Sequence, residues 1–353
     1  VATEHDRVFD PAPVIAALGL GARIPHVVGV EATSAYLGGD SPYTIGHFNA
    51  LPVPYDRTAF RGGAPSAEGR SLRAVIDDLR ALPSATWIQL NHPRDEISGE
   101  VEDGSYFTHL ATAGGPYDPT RLLDEAPNSA LVADATENGT RDIDYDGVEL
   151  LNGPSMSRYR LTRADWFSLL LQGVVHVGTA NSDTHRAGRI PAIPRNYVAM
   201  SAEPAEFDEA GFIRALRSGA STGTSGPFVT VALEGHSSGA LFTGRSGVLS
   251  IDILAAPWVP VSELRVFVDG ASVAQRPATT GQTVEIPLSF DADAFVTVEV
   301  AGEADDVYSA ISPGFVPFAF TNPIFVDADG DGVWTPDRPR ELPTTIVDPL
   351  NSP

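Results

Sequence analysis

The sequence contains no cysteine and no lysine. The absence of cysteine excludes disulfides, thiolate nucleophiles and cysteine-ligated zinc, so any bound metal must be held by histidine and carboxylate side chains. The absence of lysine means that all 23 basic residues are arginine, which excludes Schiff-base chemistry on a lysine amine.

Positive charge is also scarce, since 46 acidic residues give the 353-residue chain a formal net charge of -23. Phosphate backbones and anionic membrane surfaces attract clustered cations, so we expect no nucleic-acid partner and no membrane-surface partner. No apolar run approaches the roughly 18 residues of a transmembrane helix, and residues 1–10 lack a signal-peptide pattern. The 42% of hydrophobic residues predicts about two packed domains.

Residues 1–225 alternate strand-like runs with helix-like periodicity. Leu72, Val75, Ile76 and Leu79, for example, recur with the helical period. The predicted strands are 26–31, 48–53, 87–90, 146–151 and 174–178. The predicted helices are 14–20, one that starts at Ser66 or Ser71 and runs to Leu82, 163–171 and 208–217. Such alternation predicts a parallel sheet or barrel of the α/β class, with a site at the carboxyl ends of its strands.

The pattern changes near Gly219, after which short β-rich runs alternate with turn residues. The predicted strands there are 228–233, 248–254, 264–268, 284–288 and 295–300. This spacing is typical of a β-sandwich. We therefore predict two domains, 1–225 and 226–353.

Several side chains in loops or at predicted strand ends have the chemistry of metal ligands. They are His5, Glu31, His47, His92, Asp183 and His185. Imidazole and carboxylate together suit zinc, manganese or iron, and a carboxylate can bridge two ions about 3.5–4 Å apart. Any one of these histidines alone is more typical of a hydrogen-bonded polar residue, but their recurrence at successive strand ends favours a multinuclear metal site.

Other polar residues are interpreted differently. His26 and His176 lie inside apolar strand patterns, which favours hydrogen-bonded core histidines. Arg94 and Arg195 are candidates for holding an anionic substrate group, and a surface salt bridge is the alternative for each.

The segments around the candidate ligands form an ordered series of short motifs. The series is Thr-Glu-His-Asp (3–6), Val-Glu-Ala-Thr (30–33), Gly-His (46–47), Asn-His-Pro-Arg (91–94), Glu-Leu-Leu-Asn-Gly (149–153) and Asn-Ser-Asp-Thr-His (181–185). Over nearly the whole chain it resembles the PHP (polymerase and histidinol phosphatase) superfamily. The runs 194–198, 224–228 and 321–324 are similar to its carbaryl-hydrolase branch.

This resemblance implies a distorted (β/α)7 barrel of the PHP type, followed by a C-terminal β-sandwich. It also implies that the six candidate ligands hold two or three divalent ions of zinc, manganese or iron. Hydroxide activated by these ions is then expected to attack a phosphoester, with a carbamate or carboxylic ester as the alternative substrate. The residues expected to be catalytic are His5, His92, Arg94 and Asp183. A non-catalytic secreted binding or surface protein with a residual metal site is an alternative of a different class.

The family's opening His-x-His motif, which supplies two ligands on the first barrel strand, does not occur in this sequence. We therefore expect the first strand to be missing and an N-terminal segment or separate chain to complete the barrel. A barrel that lacks one strand would expose two strand edges. An incomplete sequence and a degenerate binding relative are the alternatives.

Asp327, Asp329 and Asp331 stand at alternate positions before a glycine, as at the start of a calcium loop. The twelfth position is Arg338 rather than glutamate, so a helix–loop–helix EF-hand is not expected, and Asp337 is the candidate substitute ligand. The alternative is an acidic, solvated turn. A calcium site at 327–337 would suggest a secreted or periplasmic protein.

Overall fold

A computed structural model describes residues 1–337 except 22, 35–44, 83, 85, 95–104, 111–114, 187–188 and 201–205, and leaves out the side chains of Ser34 and His109. The chain forms two compact units that interleave along the sequence. Unit 1 contains Val1–Val148 and Met200–Arg217, and unit 2 contains Glu149–Ala199 and Ser218–Pro353. The predicted domains 1–225 and 226–353 were contiguous, and that division stays a prediction.

Unit 1 combines short strands with short helices. Its strands are β1 (Val30–Ser34), β2 (Gly46–Leu51), β3 (Trp87–Leu90) and the first two residues of β4 (Gly147–Asn152). Its helices are α1 (Ala12–Ala17), α2 (Leu72–Arg80), α3 (Tyr106–His109) and α5 (Glu209–Arg217), with 3-10 turns at Phe60–Gly63 and Asn128–Leu131.

Helix α2 forms as its apolar periodicity predicts. Its four apolar residues at helical spacing are at most 1% exposed, and burying each such side chain contributes about 1.5–3 kcal/mol. In its last turn, Arg80 donates to the Asp146 carboxylate at 2.9 Å. Asp146 also accepts the backbone N–H of Ile88 at 2.8 Å, so this ion pair ties α2 to β3.

The strands of unit 1 are mainly antiparallel. β1 pairs with β2 in antiparallel register, with Glu31 opposite Asn49. β2 pairs with β3 in the same sense, with Asn49 opposite Gln89, and β3 runs parallel to β4. Helix α2 lies between β2 and β3 in the sequence, yet β3 runs antiparallel to β2.

Unit 2 contains one long helix, one short helix and most of the strands. The helices are α4 (Met156–Leu171) and α6 (Asp306–Ile311). The strands are β5 (Val177–Asn181), β6 (Arg195–Val198), β7 (Ser221–Thr224), β8 (Phe228–Leu233), β9 (His236–Ser237), β10 (Leu241–Thr243), β11 (Ser246–Leu254), β12 (Glu263–Val268), β13 (Ala271–Pro277), β14 (Gln282–Ser289), β15 (Ala294–Ala301), β16 (Phe318–Thr321) and β17 (Ile324–Asp327).

Two sheets of unit 2 pack as a β-sandwich. The order of the four-stranded sheet is β14-β11-β8-β9, and the eight-stranded sheet has the path β10-β17-β15-β16-β7-β6, with β12 added to β15 and β13 to β12. Alternate residues of several strands from both sheets face one hydrophobic core, to which β11 contributes Leu249 and Ile251 and β15 contributes Val296 and Val298. The β-sandwich predicted for the later part of the chain is confirmed at this coarse level.

The predicted (β/α)7 barrel is wrong. A barrel of that type requires successive parallel strands. The β1–β2 and β2–β3 pairs are antiparallel, and among the described residues strands outnumber helices and form several sheets. Strand–helix alternation in the sequence does not fix strand direction, because a connection that contains a helix can still return antiparallel. The expectation that another segment completes the barrel depended on this fold and is withdrawn with it.

Candidate metal centre

The backbone of unit 1 brings His5 beside Glu31. These two residues form an isolated parallel bridge, and the Asp6 N–H donates to the Glu31 carbonyl at 2.8 Å. The Asp6 carboxylate in turn accepts the Thr33 N–H at 2.9 Å. The segment after Ala2 is therefore fixed along β1 by main-chain and side-chain hydrogen bonds.

The pairing of β1 with β2 places His47 beside Glu31. Thr33 lies opposite His47 and Glu31 lies opposite Asn49, so these four side chains project from the same face of the β1–β2 pair. Glu31 and His47 are both the second residue of their strands. The expectation that ligands occupy the carboxyl ends of parallel strands is therefore wrong for this pair, because an antiparallel ladder aligns opposite strand ends.

His92 follows the end of β3, as the sequence predicted. The Asn91 N–H donates to the His47 carbonyl at 2.9 Å, which places the chain after β3 next to β2. His92 has a left-handed backbone, with φ of 27°. Such φ values are uncommon outside glycine and concentrate at functional sites.

Three imidazoles thus converge around the carboxylate of Glu31. From the oxygens of Glu31, the distances are 3.9 Å to His5 Nε2, 3.1 Å to His47 Nδ1 and 3.7 Å to His92 Nε2. The ring centroids of His5 and His47 are 5.3 Å apart, and those of His47 and His92 are 4.7 Å apart. Two ligands about 2.1 Å from one tetrahedral ion lie about 3.4 Å apart, which falls within the observed range.

The donor atoms give a test of whether a metal fits. One ligand atom from each of His5, Glu31 and His47 lies within 4.8 Å of the other two, and His47 presents Nδ1 to Glu31. Imidazole nitrogens and a carboxylate are the donor set that zinc, manganese and iron accept. The residues present therefore fit a divalent transition metal.

Three further side chains orient these ligands. His5 Nδ1 lies 2.6 Å from Thr33 Oγ1, and Asn91 Nδ2 donates to Glu31 Oε1 at 3.1 Å. Gln89 Nε2 donates to Asn91 Oδ1 at 2.8 Å. Outer hydrogen bonds of this kind fix the orientation of metal ligands. Sequence reasoning missed all three, although the period-2 spacing of Thr33 from Glu31 was the available signal.

Glu31 is 5% exposed. Burial acts to raise the pKa of its carboxyl, but hydrogen bonds from His47, His92 and Asn91 outweigh it and hold the pKa far below its ordinary range. A carboxylate must be deprotonated to bind a metal, so the group is in its ligand form at neutral pH.

The predicted substrate arginines are both engaged in local contacts. Arg94 Nη2 donates to the Tyr117 carbonyl at 2.6 Å. Arg195 donates to the Tyr197 hydroxyl at 3.0 Å and lies over the Tyr197 ring, with its guanidinium carbon 5.0 Å from the centroid. Their roles in holding an anionic substrate stay predictions.

Asp183 and His185 belong to unit 2 and follow β5. His185 Nδ1 lies 3.2 Å from Asp183 Oδ1, and Asp183 has a left-handed φ of 46°. The two side chains are thus close to each other, as the Asp-x-His spacing predicted. Their assignment as ligands stays a prediction, as does the catalytic role of Asp183.

The Asp-rich loop is organised by its first carboxylate. Asp327 is fully buried, and its oxygens accept the backbone N–H groups of Gly330 at 2.7 Å and Gly332 at 3.0 Å and the Thr243 hydroxyl at 3.1 Å. Burial acts to raise its pKa, but these hydrogen bonds lower the pKa below its ordinary value. The carboxylate therefore stabilises the turn in its charged form.

Asp293 is a residue of this region that sequence reasoning missed. Carboxylate oxygens of Asp293, Asp327 and Asp329 lie within 4.8 Å of one another, whereas the predicted ligands Asp331 and Asp337 are not part of that group. The available signal was the Asp-Ala-Asp run at 291–293, which repeats the run at 327–329.

Comparison with known proteins adds little to this geometry. No family model matches the chain, and no curated protein matches it. Among solved structures, the CARDB domain of a Pyrococcus furiosus protein matches with 10% sequence identity and a TM-score of 0.20, covering 29% of this chain and 95% of that domain. A similarity at this level carries no argument about fold or function. Within the described part of the chain, no helix is both long and apolar enough to cross a membrane.

Proposed function

We propose that this protein is a metal-dependent hydrolase whose metal is held in unit 1 by His5, Glu31, His47 and His92. The observation that carries the proposal is the convergence of ligand atoms: one atom each of His5, Glu31 and His47 lies within 4.8 Å of the other two, and His92 Nε2 lies 3.7 Å from Glu31. Imidazole nitrogens and a carboxylate at these distances match the donor set of a divalent transition metal.

The arrangement around the ligands also favours a functional site. Thr33 holds the His5 ring by its Nδ1, which leaves Nε2 on the side of Glu31. Asn91 occupies one lone pair of Glu31 Oε1 and is itself held by Gln89. Three neutral side chains thus fix the ligands, the second layer of contacts that metal centres require.

The reaction proposed is hydrolysis of a phosphoester, and the alternative is a carbamate or carboxylic ester. A bound divalent ion supplies Lewis acidity and makes water available as a nucleophile at neutral pH. The chain's own groups hold the ligand carboxylate in its ionised form and keep the imidazoles oriented. Arg94, two residues after His92, is the candidate for binding an anionic substrate oxygen.

The test is to measure metal content and hydrolysis together in matched histidine variants. We expect the wild-type chain to retain zinc, manganese or iron after gel filtration and to hydrolyse p-nitrophenyl phosphate or an aryl ester. His47→Gln should lose the metal and at least about 100-fold in kcat/KM, because a ligand matters more than the outer contacts worth 10–100-fold. His26→Gln is the control, since His26 lies 3.4 Å from Asp10 and outside the ligand group.

Two results would contradict the proposal. One is a wild-type chain that binds no divalent ion with at least micromolar affinity, as judged by titration. The other is a His47→Gln variant that keeps both its metal content and its rate.

A further inference from the structure

Helix α4 presents a polar face that the metal centre does not use. Met156, Tyr159, Arg160 and Arg163 recur at the i, i+3, i+4, i+7 spacing of one helix face. Arg163 is buried in spite of its charge, with 9% of its side chain exposed. A buried arginine on a helix requires a partner on the surface against which it packs.

That partner surface is the outer face of the eight-stranded sheet. Arg265 of β12 lies opposite Glu299 of β15, and Glu263 lies opposite Ala301. Successive strand residues point to opposite faces, and the intervening residues of both strands, such as Val298, belong to the sandwich core. The charged side chains therefore project away from that core.

A cavity of about 260 Å³ lies between these two surfaces, wholly within unit 2. Its charged lining consists of Arg160, Arg163, Arg265, Glu263 and Glu299. Small-molecule sites are typically about 300–1,000 Å³, so this cavity has room for a compact ligand of about one ring.

The charges of the lining do not balance. Arg163 Nη1 lies 2.7 Å from Glu299, and Arg265 Nε lies 2.6 Å from Glu263, so these two arginines are neutralised by their partners. Arg160 has no hydrogen bond or ion pair with any residue that the structure describes. One uncompensated positive charge thus remains at a cavity of a chain whose net charge is -23.

The rest of the lining is apolar and fixed in place. The Tyr159 and Phe318 rings contact edge to face, with centroids 4.7 Å apart, and Met156 adds a thioether. The Tyr159 hydroxyl donates to Glu299 at 2.6 Å, so its polar atom is already satisfied and its ring is held in place. The cavity therefore offers an apolar wall beside a single free guanidinium.

We propose that this cavity binds a small organic monoanion, in which one carboxylate pairs with Arg160 and a compact aromatic or branched apolar body packs on Tyr159 and Phe318. A single negative charge matches the single free arginine. A second negative charge, as in a phosphate monoester or a dicarboxylate, would face Glu263 and Glu299 and is rejected. The cavity shares no residue with the candidate metal ligands, so this proposal does not depend on the proposed hydrolase function.

The experiment uses the full chain and benzoate as the probe, followed by calorimetry and saturation-transfer NMR. Benzamide, which has the same shape without the charge, is the matched ligand. We expect saturable one-to-one binding of benzoate, with benzamide at least about tenfold weaker because it lacks the charge-assisted hydrogen bonds. Arg160→Gln should weaken benzoate binding at least about tenfold, and Arg160→Lys should retain most of the affinity.

Arg214→Gln is the control for net charge, since Arg214 is an exposed residue of unit 1 that pairs with Asp208. It should leave benzoate binding unchanged. Equal affinity for benzoate and benzamide in the wild-type chain would overturn the proposal, whatever the folding of the variants. So would the absence of saturable benzoate binding, or displacement of benzoate by inorganic phosphate as effectively as by a second monocarboxylate.

Discussion

Asp269 is a partly buried carboxylate whose charge the fold disfavours. Asp269 and Gly270 form the two-residue turn between β12 and β13, with φ values of 50° and 75°. The Asp269 carboxylate accepts the Phe295 N–H at 2.9 Å. Burial raises the pKa of this carboxyl from 3.8 to about 6, and Phe295 offsets that effect only in part.

The raised pKa sets both the sign and the size of the effect on stability. Between pH 3.8 and about 6 the folded chain binds more protons at Asp269 than the unfolded chain. The free energy of unfolding therefore falls as the pH rises through this window. Each pKa unit corresponds to about 1.4 kcal/mol, so the charged carboxylate destabilises the fold by up to about 3 kcal/mol. Partial solvent exposure reduces this to about 1–3 kcal/mol.

Asp269→Asn removes the charge and keeps the local geometry. Asparagine retains the side-chain oxygen that accepts from Phe295 and tolerates the left-handed backbone that this turn requires. We expect the variant to be about 1–3 kcal/mol more stable than the wild type near pH 8 and equally stable near pH 4, as measured by urea unfolding. Asp291→Asn, an exposed carboxylate of unit 2, controls for net charge. An equal gain at both pH values, or an equal gain in Asp291→Asn, would refute the reasoning.

Three further predictions concern the candidate sites and the buried charge network. Thr33→Val should lower the affinity for the transition metal about 10–100-fold without unfolding the chain, and unchanged affinity in a metal titration would argue against the orienting role of Thr33. Glu299→Gln should lower the free energy of unfolding by about 3–5 kcal/mol, because Arg163 would keep a buried charge without its partner. Glu263→Gln, at a more exposed pair, should change it by at most about 1 kcal/mol. Added calcium should raise the melting temperature of the wild type and have less effect on Asp293→Asn. A melting temperature that does not change with calcium would indicate that the loop is an acidic turn without a calcium site.

The secondary structure could be predicted well where an element is buried on one or both faces. The predicted strands 87–90 and 228–233 agree with β3 and β8 at both ends, and α2 begins one residue after Ser71, the later of its two predicted starts. β7 and β13 were missed. β7 reads Ser-Thr-Gly-Thr without an apolar pattern, and β13 is exposed along most of its length, so neither carries the alternation that identifies a strand.

The pairing of the strands could not be predicted from the sequence in the same way. Strand direction depends on which sheet edge each connection reaches, and a helix between two strands does not determine that. The barrel was predicted from strand–helix alternation and from the family resemblance. Neither indicates that β1 and β2, which carry Glu31 and His47, pair in antiparallel register. The ligand types were nevertheless informative, since imidazole and carboxylate side chains chosen from their motifs meet in unit 1.

Anomalous X-ray diffraction from crystals grown with zinc tests the metal centre most directly. Data collected on both sides of the zinc absorption edge locate the ion without assumptions about the fold. We predict an anomalous peak about 2.0–2.2 Å from His47 Nδ1 and close to the Glu31 carboxylate, with His5 and His92 around it. A chain that shows no peak at His47, or a peak only at other sites, would contradict the metal centre on which the proposed hydrolase function depends.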